Sequence, residues 1–132
     1  MQRSSVRILV VDDFEPWRRS ASSLRREKPE LQVVGEASDG LQAVQKAVEL
    51  KPDLILLDIG LPSLNGIEAA RQIRELVPES KIIFLTQESS AEVMQEALTV
   101  GASGYVVKTM AGSQLLTAIE AVLLGKRFVS SA

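Results

Sequence analysis

Four runs of apolar residues place the strongest limit on what this chain can fold into. They are VRILVV (residues 6–11), DLILLD (53–58), KIIFLT (81–86) and YVVK (105–108). Asp12 follows the first run, and the other three end at a polar residue. Solid apolar runs without polar alternation are typical of strands covered on both faces. LQVVGEA, residues 31–37, predicts one further short strand. The sequence therefore predicts a sheet of five strands.

A helical pattern follows each predicted strand, with Pro and Gly residues at several of the boundaries. For the first helix we expect Asp13 as the N-cap and Pro16 in the first turn. The last helix runs from about residue 113 to 124 and ends at Gly125. The predicted apolar faces, in chain order, are Phe14, Trp17, Ala21 and Leu24; Leu41, Val44 and Val48; Ile67, Ala70, Ile73 and Val77; Val93, Ala97 and Val100; and Leu115, Ile119 and Val122.

Strands alternating with helices at this spacing predict a parallel sheet with helices on both faces. We expect one domain over residues 1–132, a doubly wound α/β fold with the flavodoxin-like strand order 2-1-3-4-5. In such sheets ligands bind at the carboxyl ends of the strands, beside the switch in strand order. For this order the switch lies between the first and third strands.

Three acidic residues fall at that switch: Asp12 and Asp13 after the first strand and Asp58 after the third. At ~4 Å and an effective dielectric constant of ~20, each pair of carboxylates repels by roughly 4 kcal/mol. Lys108, at the end of the fifth strand, supplies one positive charge. The chain has no His and no Cys, so a metal must be held by oxygen, and Mg²⁺ fits the remaining charge.

Such a site is suited to placing a phosphoryl group on a carboxylate, with Mg²⁺ and Lys108 offsetting the charge and Thr86 donating its hydroxyl to the product. Other classes fit less well. The net charge of −2 gives no electrostatic reason to bind nucleic acid or an anionic membrane. The apolar run near the N-terminus is too short for a signal peptide or a membrane span. We expect a cytoplasmic protein that acts as a switch and is not an enzyme.

Four ordered segments, ILVVDD, DLILLDIGLPSLNG, IIFLT and GASGYVVK, resemble the receiver domains of two-component response regulators (CheY-like), and the resemblance covers essentially all 132 residues. It implies that Asp58 is the phosphoacceptor and that a sensor histidine kinase is the phosphodonor. It further implies that Asp13 ligates Mg²⁺ directly, with Asp12 nearby and often bound through water. The other roles it implies are metal binding by the carbonyl of Gly60, pairing of Lys108 with the phosphoryl group, and switching by Thr86 and Tyr105.

The C-terminal segment, from GASG onward, resembles receivers joined to LuxR/NarL-type helix-turn-helix output domains. This implies that residues from about 125 to 132 begin a linker, and that DNA is contacted only through an output domain outside this chain. The family's usual switching face, formed by the fourth helix, fifth strand and fifth helix, is a candidate homodimer surface. The first helix is a candidate docking surface for the kinase, and its arginines (Arg18, Arg19, Arg25 and Arg26) otherwise indicate a solvated face.

Three positions depart from the family pattern, one of them Thr109, which follows Lys108 where proline is frequent. Gln87 stands where a small residue is general, and Gly60 replaces the usual side chain two positions after the acceptor, so phosphorylation and dephosphorylation rates are open. A haloacid dehalogenase-type phosphatase would need an Asp-x-Asp motif after the first strand. A flavin binder would need a phosphate loop there, which the adjacent acids would repel. The remaining alternative is an interaction module that keeps the receiver fold and dimerises without phosphorylation.

Overall fold

A computed structural model describes residues 5–130 and shows a parallel sheet of six strands in the order β2-β1-β3-β4-β5-β6. The predicted α/β fold and the order of its first five strands are confirmed. A sixth strand at the edge of the sheet was not predicted. The strands are β1 Val6–Val11, β2 Leu31–Ala37, β3 Leu54–Leu57, β4 Lys81–Thr86, β5 Gly104–Val107 and β6 Phe128–Val129.

The connecting helices are α1 Glu15–Ser20, α2 Leu24–Glu27, α3 Gly40–Leu50, α4 Gly66–Leu76, α5 Ala91–Thr99 and α6 Ala111–Leu123. A 3₁₀ turn, Ala21–Ser23, links α1 to α2, and a second, Lys108–Met110, precedes α6. Side-chain oxygens of Asp39, Asn65 and Ser90 accept hydrogen bonds from backbone amides in the first turns of α3, α4 and α5. These three N-caps fix where the helices begin and hence the length of each preceding loop.

The sheet separates two apolar clusters, because successive strand residues point to opposite faces. One cluster includes Leu9, Leu57 and Tyr105 with residues of α3, α4 and α5. The other includes Ile8 and Leu56 with residues of α1, α2 and α6. Burial on both faces explains why the central strands have no polar alternation, and it holds their carboxyl ends in fixed positions.

The first helix differs from its prediction. Phe14, not Asp13, occupies the N-cap of α1, and its side chain is 57% exposed instead of lying on the buried face. The reason is local, because Asp12 Oδ1 accepts a hydrogen bond of 2.9 Å from the Phe14 backbone amide and holds the chain extended there. Arg18 is not a solvated arginine either: it donates to the backbone carbonyl of Asp12 at 2.6 Å and pairs with Glu36 at 3.1 Å.

The buried face of α3 also differs from its prediction. Leu41 and Val48 are exposed, whereas the small residues Gly40, Ala43 and Ala47 face the interior. A Cβ at Gly40 would lie 1.8 Å from the backbone oxygen of Leu64, so the start of α3 lies directly against the loop that follows β3. The close contact between α3 and this loop leaves room only for small residues. Hydrophobic periodicity alone does not predict which helix face makes such a contact.

The segment predicted to begin a linker is partly ordered on the sheet. Phe128 and Val129 pair in parallel with Gly104 and Tyr105 of β5, and the buried Ser130 follows them. The rest of the expected linker, residues 131–132, lies outside the described residues. Within residues 5–130, no helix has the length and apolar character that a membrane crossing requires.

Candidate functional site

Asp12, Asp13 and Asp58 lie together at the carboxyl edge of the sheet. β1 and β3 are neighbours with Val11 opposite Leu57, and the amide of Asp58 donates to the carbonyl of Val11 at 3.0 Å. This register places the residues after both strands side by side. Carboxylate oxygens of the three residues lie within 4.8 Å of one another, as the sequence predicted.

Lys108 joins this cluster from the end of β5. Its Nζ lies 2.7 Å from Asp12 Oδ2 and 3.1 Å from Asp58 Oδ2. The side chains of all three residues are at most 10% exposed, so the two ion pairs are screened little by solvent. Asp13 is exposed and lies on the outer side of the cluster.

Burial and charge act in opposite directions on these groups. Burial is the largest influence on Asp12 and raises its pKa, and the hydrogen bonds from Lys108 and the Phe14 amide offset only part of this. For Lys108 burial alone would lower the pKa, but the hydrogen bonds and charges of Asp12 and Asp58 outweigh it and raise the pKa above its usual value. Lys108 is therefore a fixed positive charge at neutral pH.

The donor set fits a small divalent cation. Three carboxylates face one ammonium, which leaves an excess of negative charge in a largely buried cluster. All the ligands are hard oxygens, the kind that Mg²⁺ prefers. One oxygen of Asp58, Oδ1, is held by the backbone amide of Ile59 at 2.7 Å, so the carboxylate is oriented by the loop that it begins.

That loop, residues 59–65, is closed by a backbone hydrogen bond between its two ends. The amide of Gly66 donates to the carbonyl of Ile59 at 2.7 Å, and a Cβ at Gly66 would lie 1.9 Å from the backbone oxygen of Asp58. Only glycine permits this approach. Gly60, the expected carbonyl ligand, is exposed, and no described atom lies within 4 Å of a Cβ built there.

Thr86 and Tyr105 share a partner that the sequence did not reveal. Thr86 Oγ1 accepts from the amide of Glu88 at 3.3 Å, and the Tyr105 hydroxyl donates to the carbonyl of Glu88 at 2.7 Å. Both side chains are buried, and burial raises the pKa of Tyr105 to about 12. The backbone of Glu88 thus links the end of β4 to Tyr105. Gln87, which lies between Thr86 and Glu88 in the chain, is exposed.

The sequence did not predict that Trp17 belongs to the site. The ring of Trp17 lies under Lys108, with Nζ 4.9 Å from the ring centroid. The sequence placed Trp17 on the buried face of the first helix, and nothing in its local pattern indicates a contact with a lysine near the end of the chain.

Known proteins share the sequence pattern and the fold of this chain. The response regulator receiver domain family matches residues 8–120. The chain is 38% identical over 126 residues to the DNA-binding transcriptional activator DevR/DosR of Mycobacterium tuberculosis, covering 96% of this chain and 58% of that protein. It is 36% identical over 121 residues to the transcriptional regulatory protein LiaR of Bacillus subtilis, covering 92% and 57%. The chain thus spans somewhat more than half the length of these relatives.

Solved structures show the same relationship. A LuxR-family two-component response regulator from Aurantimonas superposes with a TM-score of 0.89 at 37% identity, covering 95% of this chain and 89% of that one. The isolated receiver domain of RcsB from Salmonella enterica has a TM-score of 0.89 at 22% identity, covering 97% and 95%, which shows the shared fold. The chain belongs to the response regulator receiver domain family, and its relatives are LuxR/NarL-type transcription regulators.

Proposed function

We propose that this chain is a phosphoacceptor switch in which Asp58 receives a phosphoryl group from a sensor histidine kinase. The observation that carries the proposal is a buried carboxylate, Asp58, flanked by two further carboxylates and contacted by Lys108 at 3.1 Å. An acceptor oxygen, a place for a divalent cation and a fixed ammonium are the parts that phosphoryl transfer to an aspartate needs.

In the proposed site, Asp13 would ligate Mg²⁺ directly together with Asp58 and the backbone carbonyl of Gly60, and Asp12 would lie nearby and often bind through water. When bound, Mg²⁺ supplies a Lewis acid that offsets the charge on the transferred phosphoryl oxygens. The excess of carboxylates over the one contacting ammonium supports this assignment, because a divalent cation restores the charge balance.

The transfer forms a bond between a carboxylate oxygen of Asp58 and phosphorus. The bond from phosphorus to the donor's imidazole nitrogen breaks, and the imidazole keeps the electron pair. Lys108 lies close enough to Asp58 to donate to the phosphoryl oxygens, and its positive charge offsets theirs. The protein contributes little covalent chemistry beyond the acceptor, and its main work is positioning and charge.

The proposed response runs through Thr86, Glu88 and Tyr105. A hydrogen bond from the Thr86 hydroxyl to the new phosphoryl group would compete with its present contact to the Glu88 amide. Because the carbonyl of Glu88 holds the Tyr105 hydroxyl, movement of this loop changes the environment of both side chains. Added phosphate charge therefore has a direct route to α5 and β5.

The target of the switch is proposed to be a LuxR/NarL-type DNA-binding domain outside this chain, joined to it by a linker beyond β6. DevR/DosR, a relative, is described as a DNA-binding transcriptional activator. A homodimer through α5, β5 and α6 stays a prediction. A beryllofluoride complex that sediments as a dimer would support it, and an unchanged monomer would contradict it.

Intact-mass spectrometry after incubation with Mg²⁺ and acetyl phosphate tests the acceptor. The wild-type chain should gain one phosphoryl group, and the gain should vanish without Mg²⁺ and in Asp58→Asn. Asp53→Asn is the matched control, because Asp53 lies beside the other end of β3, where it accepts from the Arg7 amide at 2.8 Å. It should be phosphorylated like the wild type.

Acyl phosphates hydrolyse, so a second measurement covers a labile product. Mg²⁺-dependent binding of beryllofluoride should raise the melting temperature of the wild type and of Asp53→Asn, but not of Asp58→Asn. If neither phosphorylation nor beryllofluoride binding occurs, the proposed function is refuted, and an interaction module that works without phosphorylation becomes the better description.

A further inference from the structure

We propose that Trp17 is a positioning residue for Lys108, and that its indole face keeps the ammonium in reach of Asp58 during phosphoryl transfer. The proposal rests on the proposed function. It starts from three contacts of one ammonium: Asp12 at 2.7 Å, Asp58 at 3.1 Å and the ring centroid of Trp17 at 4.9 Å. A cation within about 6 Å of an indole centroid is attracted by the negative face of the ring, most strongly where water is excluded.

The ring contact differs from the carboxylate contacts in one respect. A divalent cation at the cluster would draw on the same carboxylates that hold Lys108, so the attraction between Asp12 and the ammonium would weaken. The attraction to the Trp17 ring does not involve those oxygens and would persist. Lysine has a long flexible side chain, and without a second restraint its ammonium would gain rotamer freedom at the moment when Asp58 needs it.

Trp17 packs against the apolar cluster on this face of the sheet, but it also borders open space. The ring is half-buried and lines a cavity of about 420 Å³ between α1, α2 and α6, together with Asp12, Lys108 and Leu116. Space beside the ring leaves it with fewer van der Waals partners than a side chain in a filled core. The short helix α1 places Trp17 four residues beyond Asp13, so the ring and the acidic cluster come from one segment.

Substitutions at Trp17 distinguish the effect of the aromatic face from the effect of side-chain volume. Trp17→Leu removes the aromatic face, Trp17→Phe keeps a smaller one, and Phe14→Leu is the matched control, since Phe14 lines the same cavity but is exposed. With acetyl phosphate and Mg²⁺, Trp17→Leu should lower the maximal phosphorylation rate of Asp58 roughly tenfold, the factor that corresponds to about 1.4 kcal/mol. Trp17→Phe should recover most of that loss, and Phe14→Leu should match the wild type.

A second readout does not depend on phosphorylation. Trp17 is the one tryptophan of the chain, so its fluorescence emission reports on its own surroundings. Emission in the absence of metal should differ between the wild type and Lys108→Met, because the substitution removes the charge over the ring. Thermal melts of each variant establish that the fold is intact.

The outcomes are distinct. Normal phosphorylation of Trp17→Leu, or unchanged emission in Lys108→Met, would overturn the positioning role while the proposed function stands. Equal losses in Trp17→Leu and Trp17→Phe would also overturn it, because they would assign the effect to bulk. A wild-type chain that accepts no phosphoryl group and binds no beryllofluoride would refute the proposed function, and this inference with it.

Discussion

Replacing Lys108 with Met tests whether the ammonium compensates two buried carboxylates. At an effective dielectric constant of ~20, the attraction is ~6 kcal/mol for Asp12 at 2.7 Å and ~5 kcal/mol for Asp58 at 3.1 Å, before the cost of burying the charges. Removing one partner of a buried pair typically costs about 3–5 kcal/mol. We therefore expect Lys108→Met to lower the free energy of unfolding by about 3–5 kcal/mol at pH 7 without divalent cations.

The cost of protonating one carboxylate gives a second estimate of this loss. One of the carboxylates can escape the uncompensated state by taking up a proton, which costs about 4 kcal/mol at pH 7 for a group of pKa ~3.9. The two estimates agree. The same cost falls to about 1.5 kcal/mol at pH 5, so the deficit of the variant should shrink as the pH falls.

The sign of the pH effect follows from linkage. In the variant, the folded state raises the carboxylate pKa above its unfolded value, as burial already does for Asp12 in the wild type. A raised acid pKa means that the folded state binds more protons, so stability is present below the unfolded pKa and is lost as the pH rises through the folded pKa. The loss is largest near pH 7 and smallest near pH 4.

Urea denaturation of the wild type and Lys108→Met at pH 7 and pH 5, with a chelator present, measures this difference. Lys81→Met, at an exposed lysine that begins β4, should stay within about 0.5 kcal/mol of the wild type. The double variant Lys108→Met/Asp58→Asn should regain much of the loss, because it removes a carboxylate together with the ammonium. A deficit of equal size at both pH values, or below about 1 kcal/mol at pH 7, would refute the reasoning.

Three further outcomes are expected from the geometry. Gly66→Ala should cost more than about 2 kcal/mol in urea denaturation, because its Cβ would meet the Asp58 carbonyl at 1.9 Å, whereas Gly60→Ala should be nearly neutral; equal effects would contradict the packing of this loop. The wild type should lose about 2–3 kcal/mol between pH 10 and pH 12, the interval over which the folded pKa of Tyr105 exceeds its unfolded value, and Tyr105→Phe should lack that component; parallel stability curves would contradict it. Ser130→Ala should cost about 1–3 kcal/mol, because it leaves a buried amide at the end of β5 without its 3.2 Å partner, and an unchanged midpoint in urea would show that the tail does not dock on the sheet.

The parts of the fold that the sequence predicted well are those with strong, repeated patterns. Solid apolar runs ended by polar residues predicted five strands, and the parallel order then placed Asp12, Asp58 and Lys108 at one edge, where the structure has them. Their proximity could be predicted without knowing the loops, because neighbouring parallel strands end at the same edge of the sheet.

The parts that the sequence predicted poorly depend on tertiary contacts. Phe14 fits a helical apolar stripe, yet the hydrogen bond from its amide to Asp12 delays the helix and leaves the ring exposed. A strand as short as β6 has no periodicity to detect, and its pairing with β5 exists only once the sheet has formed. The contact of Trp17 with Lys108 joins residues from opposite ends of the chain.

The division of the apolar core by the sheet bears on how such chains diverge. Each strand residue contributes to one cluster or the other, so the helices on one face can accept new side chains without disturbing those on the opposite face. The effects of substitutions at well-separated sites on stability are nearly additive, so each layer can accept substitutions independently of the other. The fold itself tolerates extensive substitution, since the Salmonella receiver superposes with a TM-score of 0.89 at 22% identity.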